Sequence, residues 1–244
     1  MIIATWAAVV IFAGMEVARA AEPACSFRPD LVALQYAFPR TASRLDTRGT
    51  VKIVALGSSS TAGAGATTAQ ATYPARLQAN LAARWPGEDV VIVNRGRNGD
   101  RLPDMLARLE TDVFAERPDL IIWQLGTNAL LADVDPNRIG ALLLAGVRAI
   151  RVTGADLIIM DPQFAPKVLA HARAGEVVGI IDDTAVQAGA ALFRRFALMR
   201  FWHEEHLGFE QILSPDQLHM NDWSYGCLAE ALAFGLAEAL HPSR

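Results

Sequence analysis

Short apolar runs alternate along the chain with longer segments in which apolar residues recur every three or four positions. The runs are nearly continuous and rich in β-branched residues, which is typical of parallel strands covered on both faces. They predict strands at 51–56, 89–93, 119–124, 156–160 and 191–194. The longer segments predict amphipathic helices at 73–85, 102–116, 137–152 and 176–188, and an apolar closing helix at 223–240.

This alternation predicts an α/β fold: a three-layer α/β/α, doubly wound domain around a mainly parallel, five-stranded sheet of the flavodoxin-like type. Residues 51–244 are expected to form that domain. Residues 21–50 show no clear period and are expected to wrap its surface. Ligands of such sheets bind beyond the carboxyl ends of the strands, where the winding direction reverses.

The composition supports one sizeable core and excludes one class of partner. Of the 244 residues, 52% are hydrophobic and 20% are charged, which is too much apolar material for a disordered chain. The formal charge is -4, and no cluster of lysine and arginine is interleaved with aromatic residues. A nucleic-acid partner is therefore not expected.

The first twenty residues resemble an export signal. Residues 2–15 are apolar, and Ala18-Arg19-Ala20 provides small residues for cleavage after Ala20, although no lysine or arginine precedes the apolar stretch. About 14 residues are also short for a bilayer span, which needs about 20. We expect a periplasmic or secreted protein without a stable membrane anchor after processing; a retained N-terminal anchor is the alternative.

Export changes the interpretation of the two cysteines, Cys25 and Cys227. In an oxidising compartment they could form a disulfide that joins the N-terminal segment to the closing helix. In a simple entropy model, closing so long a loop contributes roughly 5 kcal/mol. Two buried free thiols are the alternative.

The candidate chemistry starts with Ser59, which lies in a turn of small residues at 57–63 (GSSSTAG) after the first predicted strand. A serine hydroxyl attacks at neutral pH only when a positioned base takes its proton. Asp216 and His219 are three residues apart, so in a helical turn the carboxylate could orient the imidazole toward that serine. Alternatively, Asp216 caps a turn after Pro215 and His219 is solvated.

Four polar segments fall after strands of the predicted sheet. They are 57–63 after the first strand, 94–100 (NRGRNGD) after the second, 126–128 (GTN) after the third, and 216–219 (DQLH) after the last. Because the carboxyl ends of parallel strands share one edge, a single crevice could collect all four.

With these four blocks in this order, the chain from about residue 51 to its C-terminus resembles the SGNH (GDSL-type) hydrolases. The resemblance implies Ser59 as nucleophile, His219 as general base and acid, and Asp216 as the group that orients His219. It also implies an oxyanion hole made by the backbone amides of Ser59 and Gly99 and the side-chain amide of Asn128. Taken alone, Gly99 could be a turn glycine and Asn128 a helix cap.

Two positions depart from the family pattern. Ser58 replaces the usual aspartate before the nucleophile, and Ala129 replaces the aspartate that often follows the asparagine. Both lost carboxylates normally support loops, so the implied reaction is retained. Ser58 and Ser60 also offer hydroxyls, but alignment on the flanking glycines favours Ser59.

Other site types fit less well. A phosphate-binding P-loop needs lysine after its last glycine, where Ala64 stands, and the G-x-S-x-G elbow fails at Thr61. In the segment WHEEH, at 202–206, the two histidines are three rather than four residues apart, and no third ligand is evident. That segment is interpreted as a solvated polar turn, and neither a metal nor another cofactor is expected.

The sequence thus predicts an exported serine ester hydrolase that cleaves acyl or acetyl esters of a small molecule, lipid or glycan through an acyl-enzyme. Alternatives are an acyltransferase that uses the same triad on envelope glycans and a non-catalytic module that binds acylated glycans. The segments 161–172 and 201–202 and Trp223 are candidates for the entrance, with core packing or surface structure as the competing interpretation.

Overall fold

The structure, a computed structural model, describes residues 23–240 and contains one five-stranded parallel sheet. The strand order is β2-β1-β3-β4-β5, the flavodoxin-like order, so the predicted fold class is confirmed. The strands are β1 (Val51–Gly57), β2 (Val90–Gly96), β3 (Leu120–Gln124), β4 (Asp156–Met160) and β5 (Ala191–Phe193).

Twelve α-helical segments accompany the sheet in the described part of the chain. They are α1 (Pro29–Val32), α2 (Pro39–Asp46), α3 (Ser59–Ala62), α4 (Tyr73–Arg84), α5 (Leu102–Ala107), α6 (Thr127–Leu131), α7 (Pro136–Val152), α8 (Pro166–Leu169), α9 (Ala174–Ala188), α10 (Arg195–Glu204), α11 (Phe209–Ile212) and α12 (Asp222–Leu240).

The direction of winding places the helices in two outer layers. The connection from β1 to β2 runs toward one edge of the sheet, whereas those from β3 to β4 and β5 run toward the other. Right-handed crossovers therefore put their helices on opposite faces. On one face α4 packs against α12, and on the other α7 packs against α9 and α5. The central strands β1 and β3 are buried between these layers, as their apolar runs predict.

One strand extends further than its apolar run. β2 was expected at 89–93, but its pairing with β1 continues as far as Gly57 opposite Gly96. Polar residues can extend the ladder because β2 is an edge strand whose last positions are only partly buried. The extension brings the segment after Gly96 beside the turn that carries Ser59.

The helix predicted at 102–116 is wrong as a single element. α5 ends at Ala107, and a π-helical turn at Leu109–Val113 and a 3-10 turn at Phe114–Glu116 follow it. Between them Arg108 leaves helical geometry, with φ -113° and ψ 8°, and its side chain is buried. The spacing of apolar residues does not predict that an arginine is buried and interrupts the helix.

The N-terminal segment contributes to the core as well as covering it. Val32 and Phe38 are buried against the domain. The backbone N–H and the hydroxyl of Thr41 both donate to one carboxylate oxygen of Asp156, at 2.7 Å each. The predicted signal at 1–20 lies outside the described residues. Across 23–240, no helix combines the length and the apolar character that a bilayer crossing would need.

A disulfide between Cys25 and Cys227, which are 202 positions apart in the chain, joins this segment to α12, with Cα atoms 5.3 Å apart. The alternative of two free thiols is not what the structure contains.

Candidate active site

Ser59 and His219 meet at the carboxyl edge of the sheet. Ser59 is the first residue of α3, directly beyond β1. His219 lies in a tight turn before α12, which is closed by a bridge between Leu213 and Met220. The Nε2 atom of His219 is 2.7 Å from the Oγ of Ser59. The structure therefore brings together two residues that are 160 positions apart.

Asp216 shapes the turn that presents His219. Its Oδ1 accepts hydrogen bonds from the backbone N–H groups of Leu218 and His219, at 2.9 Å each, and from the Ser214 hydroxyl at 2.8 Å. Its Oδ2 lies 2.5 Å from Nδ1 of His219. The sequence predicted this proximity from a helical spacing; the structure achieves it in a tight turn closed by the aspartate itself.

The electrostatics of the turn fix the charge of the carboxylate. Partial burial raises the pKa of Asp216, but the hydrogen bonds from His219, Leu218 and Ser214 lower it by more, so the net pKa is well below the usual range. Asp216 is therefore ionised at neutral pH and accepts the hydrogen on Nδ1 of His219. The lone pair of Nε2 then faces the hydroxyl of Ser59.

Two further polar groups lie in neighbouring strand-exit segments. Gly99 has a φ of +82°, a conformation that favours glycine, and it follows β2 in the turn at 97–100. Asn128 is the second residue of α6, directly beyond β3. Its Nδ2 donates to the carbonyl oxygen of Asp100 at 3.0 Å, which leaves the second hydrogen of that nitrogen for another acceptor.

Ser58 and Ser60 differ from Ser59 in their surroundings. Ser58 is buried, and its backbone N–H and hydroxyl both donate to Oε1 of Gln124, at 3.0 and 3.1 Å. Thr61 donates to the same oxygen at 3.2 Å. Ser60 is buried as well. Of the three adjacent serines, the hydrogen bond to the imidazole belongs to Ser59.

Gln124 is a supporting residue that the sequence analysis missed. Its side chain holds the turn that contains Ser58, the residue at the position of the usual aspartate. A glutamine at the buried end of an apolar strand was the available signal, since a buried amide needs partners.

A second buried network was also missed, and it joins the loop of His219 to α6. Gln163 accepts hydrogen bonds from the Thr127 hydroxyl at 2.8 Å and from the Arg195 guanidinium at 3.0 Å. Its amide nitrogen donates to the carbonyl oxygen of Leu218 at 3.2 Å. Arg195 and Gln163 are both buried. The network links the residue before His219 to α6, the helix of the site asparagine.

The tryptophans considered for the entrance have another role. Trp202 is completely buried and donates to the carbonyl oxygen of Ser26, and Trp223 donates to that of Pro23. The two rings pack edge to face with centroids 5.1 Å apart. Both tryptophans hold the N-terminal segment. For Trp202, which is completely buried, the packing interpretation is correct, whereas Trp223 is only partly buried.

The interpretation of the WHEEH segment as a solvated turn is correct only for its end, where Glu205 and His206 form an exposed turn. α10 continues to Glu204, and the ring of His203 stacks on Phe209 with centroids 4.3 Å apart. Within residues 23–240, no group of three or more His, Cys, Asp or Glu side chains is arranged to hold a metal ion.

The strand order, together with the hydrogen-bonded serine, histidine and aspartate at the carboxyl edge, defines an SGNH-like hydrolase, as the resemblance implied. The chain belongs to the non-GDSL lipase-like family, whose model matches residues 24–242.

Curated relatives are similar over parts of the chain. Esterase TesA from Pseudomonas aeruginosa is 27% identical over 172 residues, which cover 68% of this chain and 78% of that protein. An arylesterase from Vibrio mimicus is 31% identical over 80 residues, which cover 33% of this chain and 40% of the arylesterase.

Solved structures share the fold. TesA superposes with a TM-score of 0.65 and 25% identity, covering 77% of this chain and 99% of TesA. A two-domain esterase active on acetylated mannans superposes with a TM-score of 0.75 and 17% identity, covering 89% of this chain and 58% of that esterase. The chain thus spans less than two thirds of both the arylesterase and the two-domain esterase.

Proposed function

We propose that the protein is a carboxylic ester hydrolase in which Ser59 is the nucleophile, His219 the general base and acid, and Asp216 the group that orients and stabilises the imidazole. The observation that carries this proposal is the 2.7 Å contact between Nε2 of His219 and Oγ of Ser59, continued by the 2.5 Å contact between Nδ1 and Asp216. A serine with a base in hydrogen-bond reach, itself held by a carboxylate, is the arrangement that nucleophilic acyl transfer requires.

In the first half-reaction the Oγ of Ser59 attacks the ester carbonyl while His219 takes the hydroxyl proton on Nε2. The ionised Asp216 stabilises the imidazolium that forms. His219 then returns the proton to the departing alcohol, which leaves an acyl-enzyme. Water activated by the same imidazole releases the acid and restores Ser59.

Negative charge develops on the carbonyl oxygen in both tetrahedral intermediates. We assign its stabilisation to the N–H groups of Ser59 and Gly99 and to the free amide hydrogen of Asn128. Each fixed donor aimed at this oxygen contributes roughly 10² to 10³ in rate. The positive φ of Gly99 supports the assignment, because the turn directs consecutive N–H groups to one side.

For the substrate we propose acetyl or other acyl esters, including those of small molecules, lipids and glycans. The names of the relatives support this class: an esterase, an arylesterase and a structural neighbour active on acetylated mannans. Ser59 is only partly buried, so its hydroxyl is open to water. That access supports hydrolysis over transfer to a sugar, which requires water to be excluded from the acyl-enzyme.

We also propose that the protein is exported and works in an oxidising compartment, the periplasm or the medium. The Cys25–Cys227 disulfide supports this location, because such bonds persist outside the reducing cytosol. Fractionation of cells that make the full chain tests it: the protein should be recovered outside the cytoplasm with both thiols resistant to alkylation, and cytoplasmic protein with two free thiols would contradict the proposal.

Hydrolysis of p-nitrophenyl acetate by the purified protein tests the activity. Ser59→Ala and His219→Ala should each lower kcat by several orders of magnitude, whereas the matched variant Ser60→Ala, which changes a neighbouring hydroxyl, should retain most of it. A sugar acceptor added to the same reaction separates free acetate from acetylated sugar. Absence of turnover with acetyl to octanoyl esters, or full activity of Ser59→Ala, would contradict the proposal.

A further inference from the structure

The guanidinium of Arg108 contacts three separate segments: the end of β1, the turn at 97–100 and the π-helical turn after α5. Its Nη2 donates to the carbonyl oxygen of Gly57 at 3.1 Å, its Nε to the carboxylate of Asp100 at 2.7 Å, and its Nη1 to that of Asp112 at 3.1 Å. The side chain is 7% exposed, so these contacts replace nearly all of its hydration. A buried charge with this many partners is held in one orientation.

The first contact, with Gly57, restrains the turn at 57–63 that contains Ser59. Gly57 is the last residue of β1, two positions before Ser59. Its carbonyl oxygen also accepts from the backbone N–H of Arg97 at 3.0 Å. The end of β1 is thereby tied to the segment that follows β2, and the guanidinium completes the connection.

The second contact fixes the other two oxyanion donors. Asp100 closes the turn at 97–100, because its backbone N–H donates to the carbonyl oxygen of Arg97 at 3.3 Å. Holding the Asp100 carboxylate therefore restrains the turn that contains the Gly99 N–H. The carbonyl oxygen of Asp100 in turn accepts from the side-chain amide of Asn128 at 3.0 Å. One guanidinium therefore connects, directly or through Asp100, all three segments that supply the proposed donors.

We propose that Arg108 is a positioning residue that sets the spacing of the oxyanion hole, an inference that rests on the proposed function. It touches neither substrate nor reacting atoms; it acts through Gly57 and Asp100. A guanidinium suits this role because its planar fork offers five N–H donors in fixed directions, whereas a lysine ammonium is a single point on a flexible stem. The broken helix after α5 is the local feature that allows the arginine to turn inward.

The expected signature is a loss of kcat with KM little changed. Oxyanion donors act on charge that exists only in the transition state, so their displacement weakens the transition state and not substrate binding. A displacement near 1 Å costs on the order of 10²-fold in rate. We expect Arg108→Lys to lower kcat by about 10- to 100-fold at temperatures where circular dichroism shows an intact fold.

Arg97→Gln is the matched control. The Arg97 side chain donates to Asp112, as Arg108 does, but it is 59% exposed and has no side-chain contact with Gly57 or Asp100. Its loss removes a positive charge from the same cluster and should leave kcat within about threefold of the parent, since an exposed ion pair contributes little. Asp100→Asn is the second test variant: it weakens the bond to Arg108, keeps the backbone carbonyl for Asn128, and should also lower kcat.

The experiment measures kcat and KM for p-nitrophenyl acetate in these variants and in a double-mutant cycle of Arg108→Lys with Asn128→Ala. If Arg108 acts through the oxyanion hole, the double variant loses less than the product of the two single losses. Losses that multiply fully, a change confined to KM, or unchanged kcat in a folded Arg108→Lys or Asp100→Asn would overturn the inference. The parent and Ser59→Ala are assayed first, because an inactive parent, or an active Ser59→Ala, refutes the proposed function instead.

Discussion

Gly65 packs directly against the backbone of the turn that contains His219. A Cβ atom placed on Gly65 would lie 3.1 Å from the Cβ of His219 and 2.3 Å from the carbonyl oxygen of Met220. Gly65 also has a φ of +89°, which favours glycine. The same loop is held to α12 by Asp222, whose carboxylate accepts from the Thr67 backbone N–H at 2.8 Å. The position of the imidazole thus depends on a loop that begins just beyond α3.

Gly65→Ala should therefore lower kcat by about 10- to 100-fold, because the new methyl group must displace the backbone beside His219. Gly87→Ala is the matched control: Gly87 has a similar φ of +92°, but an added Cβ would meet no atom within 4 Å. Both variants carry the conformational strain, and only the first carries the clash. Assays of p-nitrophenyl acetate hydrolysis check this, and equal kcat values for the two variants would refute it.

Gln124→Leu should destabilise the protein and reduce its activity. The change leaves the backbone N–H of Ser58 and the hydroxyls of Ser58 and Thr61 without their acceptor in a buried place. The two hydroxyls can rotate toward other acceptors, but the backbone N–H cannot. A buried N–H left without an acceptor lowers the free energy of unfolding by about 1 to 3 kcal/mol. Urea unfolding and kcat measure the two effects. Ser58→Ala removes one donor and keeps the glutamine, so it should cost less; the reverse order would contradict the assigned role of Gln124.

Asp161 makes stability depend on pH. Complete burial raises the pKa of this carboxyl to about 7, although a hydrogen bond from the Phe196 N–H and the charge of Arg195 lower it in part. In the unfolded chain the pKa is about 3.9. Between these values the folded state holds a proton that the unfolded state has lost, so the free energy of unfolding falls as pH rises from about 4 to 7.

Asp161→Asn should remove this component, since asparagine stays neutral and keeps an oxygen for the Phe196 N–H. The difference between parent and variant in the free energy of unfolding, measured by urea at several pH values from 4.5 to 8, isolates the contribution of Asp161. We expect the parent to lose on the order of a few kcal/mol relative to the variant over this interval. Parallel pH profiles would contradict the raised pKa.

The disulfide should contribute to stability more than to catalysis. Cys25→Ser with Cys227→Ser opens a loop of 202 residues, which the entropy model values at about 5 kcal/mol. At this chain length the expected fall in Tm is about 10 to 20 °C. Trp202 and Trp223 still hold the N-terminal segment in the variant, so kcat at 25 °C should stay close to that of the parent. A Tm that neither the double variant nor reduction lowers would contradict this account.

The sequence predicted what depends on local pattern. Continuous apolar runs predicted the buried strands. Their alternation with helices predicted the three layers and the position of Ser59 directly after β1. The small spacing between Asp216 and His219 indicated their contact, because two residues three apart are forced together by almost any tight turn.

What the sequence could not supply are bonds between distant segments. Arg108 lies within the amphipathic run at 102–116 that predicts a single helix, and its partner Gly57 is 51 positions away. Gln163 joins Thr127 to Leu218. Thr127 precedes β4 in the chain and Leu218 follows β5, so these bonds form only when the whole domain has folded. The sequence left open whether Trp202 lies at the entrance or in the core, because its partner Ser26 is 176 positions away.

The central claim is that the hydroxyl of Ser59, activated by His219, forms the covalent intermediate. Labelling the purified protein with a fluorophosphonate and mapping the modified peptide by mass spectrometry tests it directly. We predict a single adduct on Ser59 that forms in step with the loss of esterase activity and is absent from Ser59→Ala and His219→Ala. Inactivation through an adduct on Ser58, Ser60 or a residue elsewhere, or esterase activity that survives full modification of Ser59, would contradict the account.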